Sequence, residues 1–306
     1  VSNTFGRSFL KKGDGVLITA MEHHSNIVPW QMICEERQAI LKVLPMDNNG
    51  VLMLEQLDAL LDDRTKIVAC TYVSNSLGTV NNIKEIISRA HARNIPVLVD
   101  AAQAVQHMPV DVQDLGADFL VFSGHKLYGP TGIGVLYGKE EWLNMLPPWQ
   151  GGGDMIKTVS FEKTIYNELP YKFEAGTPDV SGAVGLSAAI DYVKNIGIKN
   201  IQQAEHELIG YALEKLSAIE GITFVGKAAD RAGAISFLMD GLHPFDVGEL
   251  LDKQGIAVRT GHHCTQPVMD FFGIPGTVRA SFALYNTKEE VDLLAAGVQK
   301  AVAMLS

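Results

Sequence analysis

The stretch from Ile95 to Tyr137 constrains the fold more than any other part of the chain. A first apolar run, Val97, Leu98 and Val99, stops at Asp100, and a second, Phe119 to Phe122, stops at Ser123, Gly124, His125 and Lys126. Short runs apolar at every position suit strands covered on both faces, and a crossover of this length suits a parallel pair. In an open α/β sheet the ligand crevice lies outside the carboxyl ends of the strands. One carboxylate, Asp100, and one amine, Lys126, are therefore expected to face the same crevice.

Such a pair suits a particular chemistry. A lysine amine in a poorly solvated pocket loses its proton more readily and can condense with an aldehyde cofactor. A buried carboxylate needs a cationic or hydrogen-bonding partner, which a protonated pyridine nitrogen supplies. Ser123 and His125 flank the lysine with donors suited to a phosphate, and the turn Gly129, Pro130, Thr131, Gly132 lets backbone pass close by. These parts point to pyridoxal 5′-phosphate. A nucleotide P-loop does not fit, because its lysine follows the glycines and this one precedes them. Taken singly, the same residues would read as a surface lysine and a helix-capping aspartate.

The motifs DAAQAV, FSGHKLYGPTGIG and RTGHHCTQPVM resemble those of the group II cysteine desulfurases and selenocysteine lyases, the sulfur-mobilising branch of the fold-type I pyridoxal phosphate enzymes. The resemblance runs through essentially the whole chain, with the motifs in the right order. It implies a large, mostly parallel α/β domain followed by a smaller C-terminal α+β domain. It further implies Lys126 as the Schiff-base lysine, Asp100 as partner of the pyridine nitrogen, Gln103 as donor to the cofactor's phenolic oxygen, and Ser123 with His125 as phosphate ligands. The activity implied is conversion of L-cysteine, or L-selenocysteine, to L-alanine.

Other positions take their roles from the same resemblance, each beside a plainer reading. His23, in MEHHSN, looks like the residue that stacks on the cofactor and acts as acid or base, although a lone histidine there could equally cap a helix. His24 looks like a neighbour of the site. Asn75, after the run KIVACTY, matches an asparagine that contacts cofactor and substrate carboxylate, or is simply a turn residue. Thr177, before Pro178, matches a threonine that reaches the cofactor phosphate of the other subunit, so a homodimer is implied; a helix-capping role is the alternative.

Arg259 to Pro267 forms a second constellation. A cysteine in a polar loop beside an arginine and two histidines is a setting in which a thiolate is stabilised and exposed. The resemblance makes Cys264 the persulfide-forming nucleophile. Zinc is the competing idea for His262, His263 and Cys264, but adjacent residues rarely turn to one metal and no second Cys/His pair is in range. Arg279, in VRASFALYN, is the natural bidentate clamp for an amino-acid carboxylate, the role the resemblance assigns it. Arg259 would support the cysteine loop, a partner surface or an ordinary salt bridge.

The chain of 306 residues is 47% hydrophobic with net charge −10, enough for a large core and two domains, placed at 1–195 and 196–306. An acidic balance disfavours nucleic acid or anionic membrane as partner. Three cysteines, Cys34, Cys70 and Cys264, make no disulfide framework, so a reducing cytoplasm is the expected home. Cys34 and Cys70 read as core. PPWQGGGDMIKTVSFEKT reads as a mobile glycine-rich loop over the site or towards a neighbouring subunit, and strands are expected near Ile256 to Arg259 and Val278 to Phe282.

The chain opens on VSNTFG, and the resemblance implies a further upstream segment with a Gly-Thr-Thr-Glu phosphate-binding turn and part of the substrate pocket. A persulfide on Cys264 implies a sulfur-acceptor protein of the SufE type that serves iron–sulfur cluster assembly. Two other readings stay open at this level: another fold-type I lyase or aminotransferase, which would have no use for Cys264, and a truncated scaffold that binds no cofactor.

Overall fold

The computed structural model of the protein describes residues 1–305. The apolar runs form the central sheet: β1 (Gly15–Thr19), β2 (Ile40–Leu44), β3 (Thr65–Thr71), β4 (Val97–Asp100), β5 (Phe119–Ser123) and β6 (Gly134–Gly138), in the spatial order β2-β1-β3-β4-β5-β6. All neighbours run parallel except β5 and β6.

The continuous hydrophobicity of β1 and β3 has a direct cause. Alternate side chains point to opposite faces, and both faces are covered. Leu17 and Val68 pack into one cluster with Ile86 and Ile87 of the helix Ile83–His91, while Val16, Ile18, Ile67 and Ala69 pack into another with Trp30 and Ile33 of the helix Val28–Arg37. Each such aliphatic side chain removed from water contributes roughly 1.5–3 kcal/mol. The middle positions of these strands are therefore apolar, and the functional residues begin where the strands end.

Beyond the sheet, the glycine run leads into a two-stranded hairpin, β7 (Ile156–Val159) and β8 (Thr164–Tyr166), where the sequence reading expected a loop. Helices Val180–Ile196 and Ile198–Ser217 follow, broken at Gly197, whose φ of 88° lies in the region only glycine visits freely. An antiparallel sheet then forms from β9 (Ile222–Val225), β10 (Ala234–Met239), β11 (Arg259–Gly261) and β12 (Thr277–Ser281), in the order β11-β12-β10-β9. Its own core packs Ile235, Phe237 and Val278 against helices Ile198–Ser217, Pro244–Asp252 and Lys288–Leu305. β11 begins at Arg259, later than expected, because only there does the chain pair with β12; Ile256 and Val258 pack as half-buried extended chain before it. A further helix, Gln266–Phe272, follows the cysteine loop and had no counterpart in the sequence reading.

Candidate active site

The order β1-β3-β4-β5 lays four strand ends side by side, and each delivers one residue. His23 follows β1, Asn75 follows β3, Asp100 ends β4, and Lys126 sits in the 3₁₀ turn Gly124–Leu127 after β5. Together they line a cleft of about 510 Å³. Gln103, Ser123 and His125 also line it, as do Arg259 and Arg279 from the other sheet. Thr177 does not: it is exposed, next to Gly176 and Pro178, which border a separate hollow.

The turn that carries Lys126 closes tightly on itself. Gly129 N–H donates to Gly124 O at 3.0 Å, Tyr128 adopts φ 60°, and a Cβ on Gly129 would lie 2.9 Å from that same carbonyl. Glycine at 129 is therefore required by the close approach. Burial lowers the pKa of the Lys126 amine, an effect opposed by Asp100 and reinforced by Arg279 and Arg259. Asp100, 8% exposed, accepts Ala102 N–H on Oδ1 at 2.9 Å; among the described residues its other oxygen takes no hydrogen bond. A carboxylate held this way has an acceptor to spare for a ring N–H.

Behind Asp100 lies Glu22, fully buried, a residue the sequence reading passed over. Its carboxyl receives Thr19 Oγ1 at 2.5 Å, Asn26 Nδ2 at 2.7 Å and Thr71 N–H at 2.8 Å. Burial nonetheless pushes its pKa up to about 8, against those three hydrogen bonds and with help from the Asp100 charge. His23 is held by its neighbour: Ser25 N–H donates to Nδ1 at 3.1 Å, so the neutral ring carries its proton on Nε2. Its pKa is lowered, by burial first and by Lys126 second.

The cysteine loop meets these strand ends from the opposite side. His263 and Cys264 have consecutive φ values of 53° and 59°, a left-handed stretch that side chains rarely adopt. Contacts across the cleft hold it there. Asn75 Nδ2 donates to His263 O at 2.7 Å, His24 N–H donates to Cys264 O at 2.8 Å, and Gln266 N–H donates to His24 Nε2 at 3.0 Å. His24 is thus a structural partner of the loop, which its place beside His23 in the sequence does not reveal. Arg259 Nη2 lies 3.7 Å from Cys264 Sγ. His263 is buried, hydrogen-bonded through Nε2 to Thr277 Oγ1 at 2.8 Å, and burial together with Arg279 and Arg259 pushes its pKa down to about 3. His262 Nδ1 accepts Cys264 N–H at 3.1 Å. The two histidines are engaged separately, and no group of three metal-ligand side chains occurs among the described residues.

Arg259 and Arg279 are directly paired across β11 and β12. Like charges opposite each other destabilise a sheet, so this pairing is a cost that an anionic ligand would relieve. Arg279 gives Nη1 to Asn75 O at 2.8 Å, but among the described residues its buried Nε has no partner. An unpaired buried guanidinium N–H is expensive, and it fits a substrate carboxylate. Asp100, with an oxygen to spare, also fits the ring nitrogen of pyridoxal phosphate, and Ser123 and His125 line the same cleft with donors that fit its phosphate. Fold and donor set together define a fold-type I pyridoxal phosphate enzyme.

Comparison with known proteins agrees. The aminotransferase class-V family signature matches residues 1–294. A cysteine desulfurase from Yersinia pseudotuberculosis serotype IB is 54% identical over 301 residues, covering 98% of this chain and 74% of that protein. Among solved structures, the cysteine desulfurase CsdA from Escherichia coli superposes with a TM-score of 0.96 at 39% identity, covering 99% of this chain and 76% of that one. The apo cysteine desulfurase from Thermococcus onnurineus NA1 gives 0.95 at 41% identity, with the same coverage. The chain belongs to the aminotransferase class-V family and, within it, to the cysteine desulfurases. It spans about three quarters of the length of these relatives.

Proposed function

We propose that the chain converts L-cysteine to L-alanine with Lys126 as the cofactor-bearing lysine and Cys264 as the sulfur acceptor. The observation that carries this reading is the meeting of two independent elements: the strand ends bearing Asp100 and Lys126, and a left-handed loop pinned across the cleft with Cys264 beside Arg259. When bound, pyridoxal phosphate supplies an electron sink for the substrate carbon. Asp100 holds the ring nitrogen, Ser123 and His125 take the phosphate, and Gln103 donates to the phenolic oxygen. Arg279 and Asn75 hold the substrate carboxylate. Burial lowers the Lys126 pKa and so favours the neutral amine, the form required of a base that takes the substrate Cα proton. His23, which lines the cleft and as a neutral ring carries its proton on Nε2, would lie against the cofactor and could move a proton at that atom. The Cys264 thiolate would attack the substrate sulfur as the carbon–sulfur bond breaks, with the bond's electron pair left on the carbon, which takes up a proton to become the alanine methyl; the sulfur would stay on Cys264 as a persulfide and pass to an acceptor protein that serves iron–sulfur assembly. Selenocysteine fits the same cleft.

Residues 1–195 form the cofactor-binding unit in this reading, and 196–306 the unit that brings the cysteine. A homodimer completes the site through Thr177. Supporting this, Thr177 is exposed and does not line its own chain's cleft, and the segment that leads to it exposes Trp149, Val159, Phe161 and Tyr171. No helix among the described residues is long and apolar enough to cross a membrane, and the three cysteines are unpaired, in keeping with a reducing compartment such as the cytoplasm.

The test is the visible spectrum with added pyridoxal phosphate. The parent is expected to develop a band above that of free cofactor, and Lys126→Ala to lose both the band and at least about a thousandfold in alanine formation. A variant that keeps the band would remove Lys126 from its role.

A further inference from the structure

Gln103 lines the cleft, yet nothing in its own backbone decides which end of its amide faces inward. Three residues behind it do. Gln106 Nε2 donates to Gln103 Oε1 at 3.0 Å and lies 3.2 Å from His107 Nε2, while His107 Nδ1 lies 2.6 Å from Glu205 Oε2. Gln106, His107 and Glu205 are all buried, and the last belongs to the helix Ile198–Ser217, far along the chain. His107 is also packed against Gly233, where φ is 71° and a Cβ would strike the imidazole.

We propose that Gln106, His107 and Glu205 form a directional relay that fixes the Gln103 amide with its N–H group towards the cleft. The direction follows from donor and acceptor capacity. The amide nitrogen of Gln106 can only donate, so the His107 Nε2 it faces accepts, and the ring proton lies on Nδ1, directed at Glu205 Oε2. The second N–H of that amide is left for Gln103 Oε1. With its oxygen engaged, Gln103 presents only its amino group forward. The reverse setting of Gln106 would put its oxygen against an unprotonated Nε2, and the protein accepts a buried, unpartnered Gln106 Oε1 instead. The three are positioning residues: they touch Gln103 or each other. The value of that orientation to the reaction rests on Gln103 facing the cofactor's phenolic oxygen, as proposed above.

Two measurements test this, the first without cofactor. ¹⁵N NMR of the imidazole in the cofactor-free protein is expected to find His107 protonated at Nδ1 and bare at Nε2, with Glu205→Gln releasing that preference. A proton on Nε2 in the parent, alone or with one on Nδ1, overturns the relay. The second is the pH midpoint of the bound cofactor's visible band in the parent, Gln106→Leu and Glu205→Gln. A phenolate that loses a fixed donor becomes more basic, so both near-isosteric variants are expected to move the midpoint upward by about one unit, with Gln106→Asn restoring it in part. Unchanged midpoints in both variants overturn the proposal, whereas a parent that shows no band at all counts against the functional reading and leaves the NMR result to decide the relay.

Discussion

The strand ends and the cysteine loop face each other across one cleft but are built on opposite principles. Asp100 ends a strand buried along its whole length, and Lys126 sits in a tight turn after a neighbouring strand whose first residues are buried. His263 and Cys264 sit in a strained left-handed segment held by a few hydrogen bonds from Asn75, His24 and Thr277. The difference matches the two tasks proposed for them. A cofactor must be gripped in fixed geometry, which rigid elements provide best. A sulfur carrier must reach the substrate and afterwards an acceptor protein, which suits a loop whose exposure is local and whose anchoring is modest.

The comparison breaks most sharply at Cys264. Cys264→Ala is expected to leave the cofactor band intact and to lower alanine formation from L-cysteine at least about a hundredfold, while cleavage of L-selenocysteine persists. Equal loss on both substrates would place the cysteine within the gripping machinery instead. A smaller effect is expected at the main tie between the two regions. Asn75→Ala removes the 2.7 Å bond to His263 O but leaves the backbone carbonyl that Arg279 uses. A drop of about tenfold in turnover is expected, with a faster reaction of Cys264 with alkylating reagents as the loop loosens; an unaltered alkylation rate would show that other contacts suffice.

The smallest effect is on stability. Buried His263 has a folded pKa near 3, below its ordinary value of 6.5, so the unfolded chain takes up a proton first as acid is added. The contribution is present above pH 6.5 and lost as pH falls towards 3. Between pH 7 and 5 it should cost about 1–2 kcal/mol of unfolding free energy. His263→Gln should flatten that slope in denaturant titrations; an identical slope would assign the pH dependence elsewhere.

The same contrast governs what the sequence alone makes legible. Asp100, Lys126, His23 and Asn75 could be placed because each stands where an apolar run ends, and the fold puts ends of parallel strands in one row. Arg259 was legible only as a basic residue near the cysteine; its pairing with Arg279 depends on the register of β11 on β12, and the apolar stretch before it reads as strand although it pairs with nothing. The β7–β8 hairpin was hidden by the glycines before it, which dominate a local reading although the ladder starts beyond them. Glu22 looks like one more polar residue after a strand until burial singles it out. His24, and the contact of His107 with Glu205, join residues distant in the chain and leave no periodic trace.

The most direct test of the central claim is mass spectrometry of the peptide bearing Cys264 after the cofactor-loaded protein has met L-cysteine with no acceptor present. The account predicts the gain of one sulfur atom on Cys264, removable by reductant and absent from Lys126→Ala. Alanine formed in amounts matching the enzyme while Cys264 stays unmodified, or sulfur found on Cys34 or Cys70 instead, would contradict it.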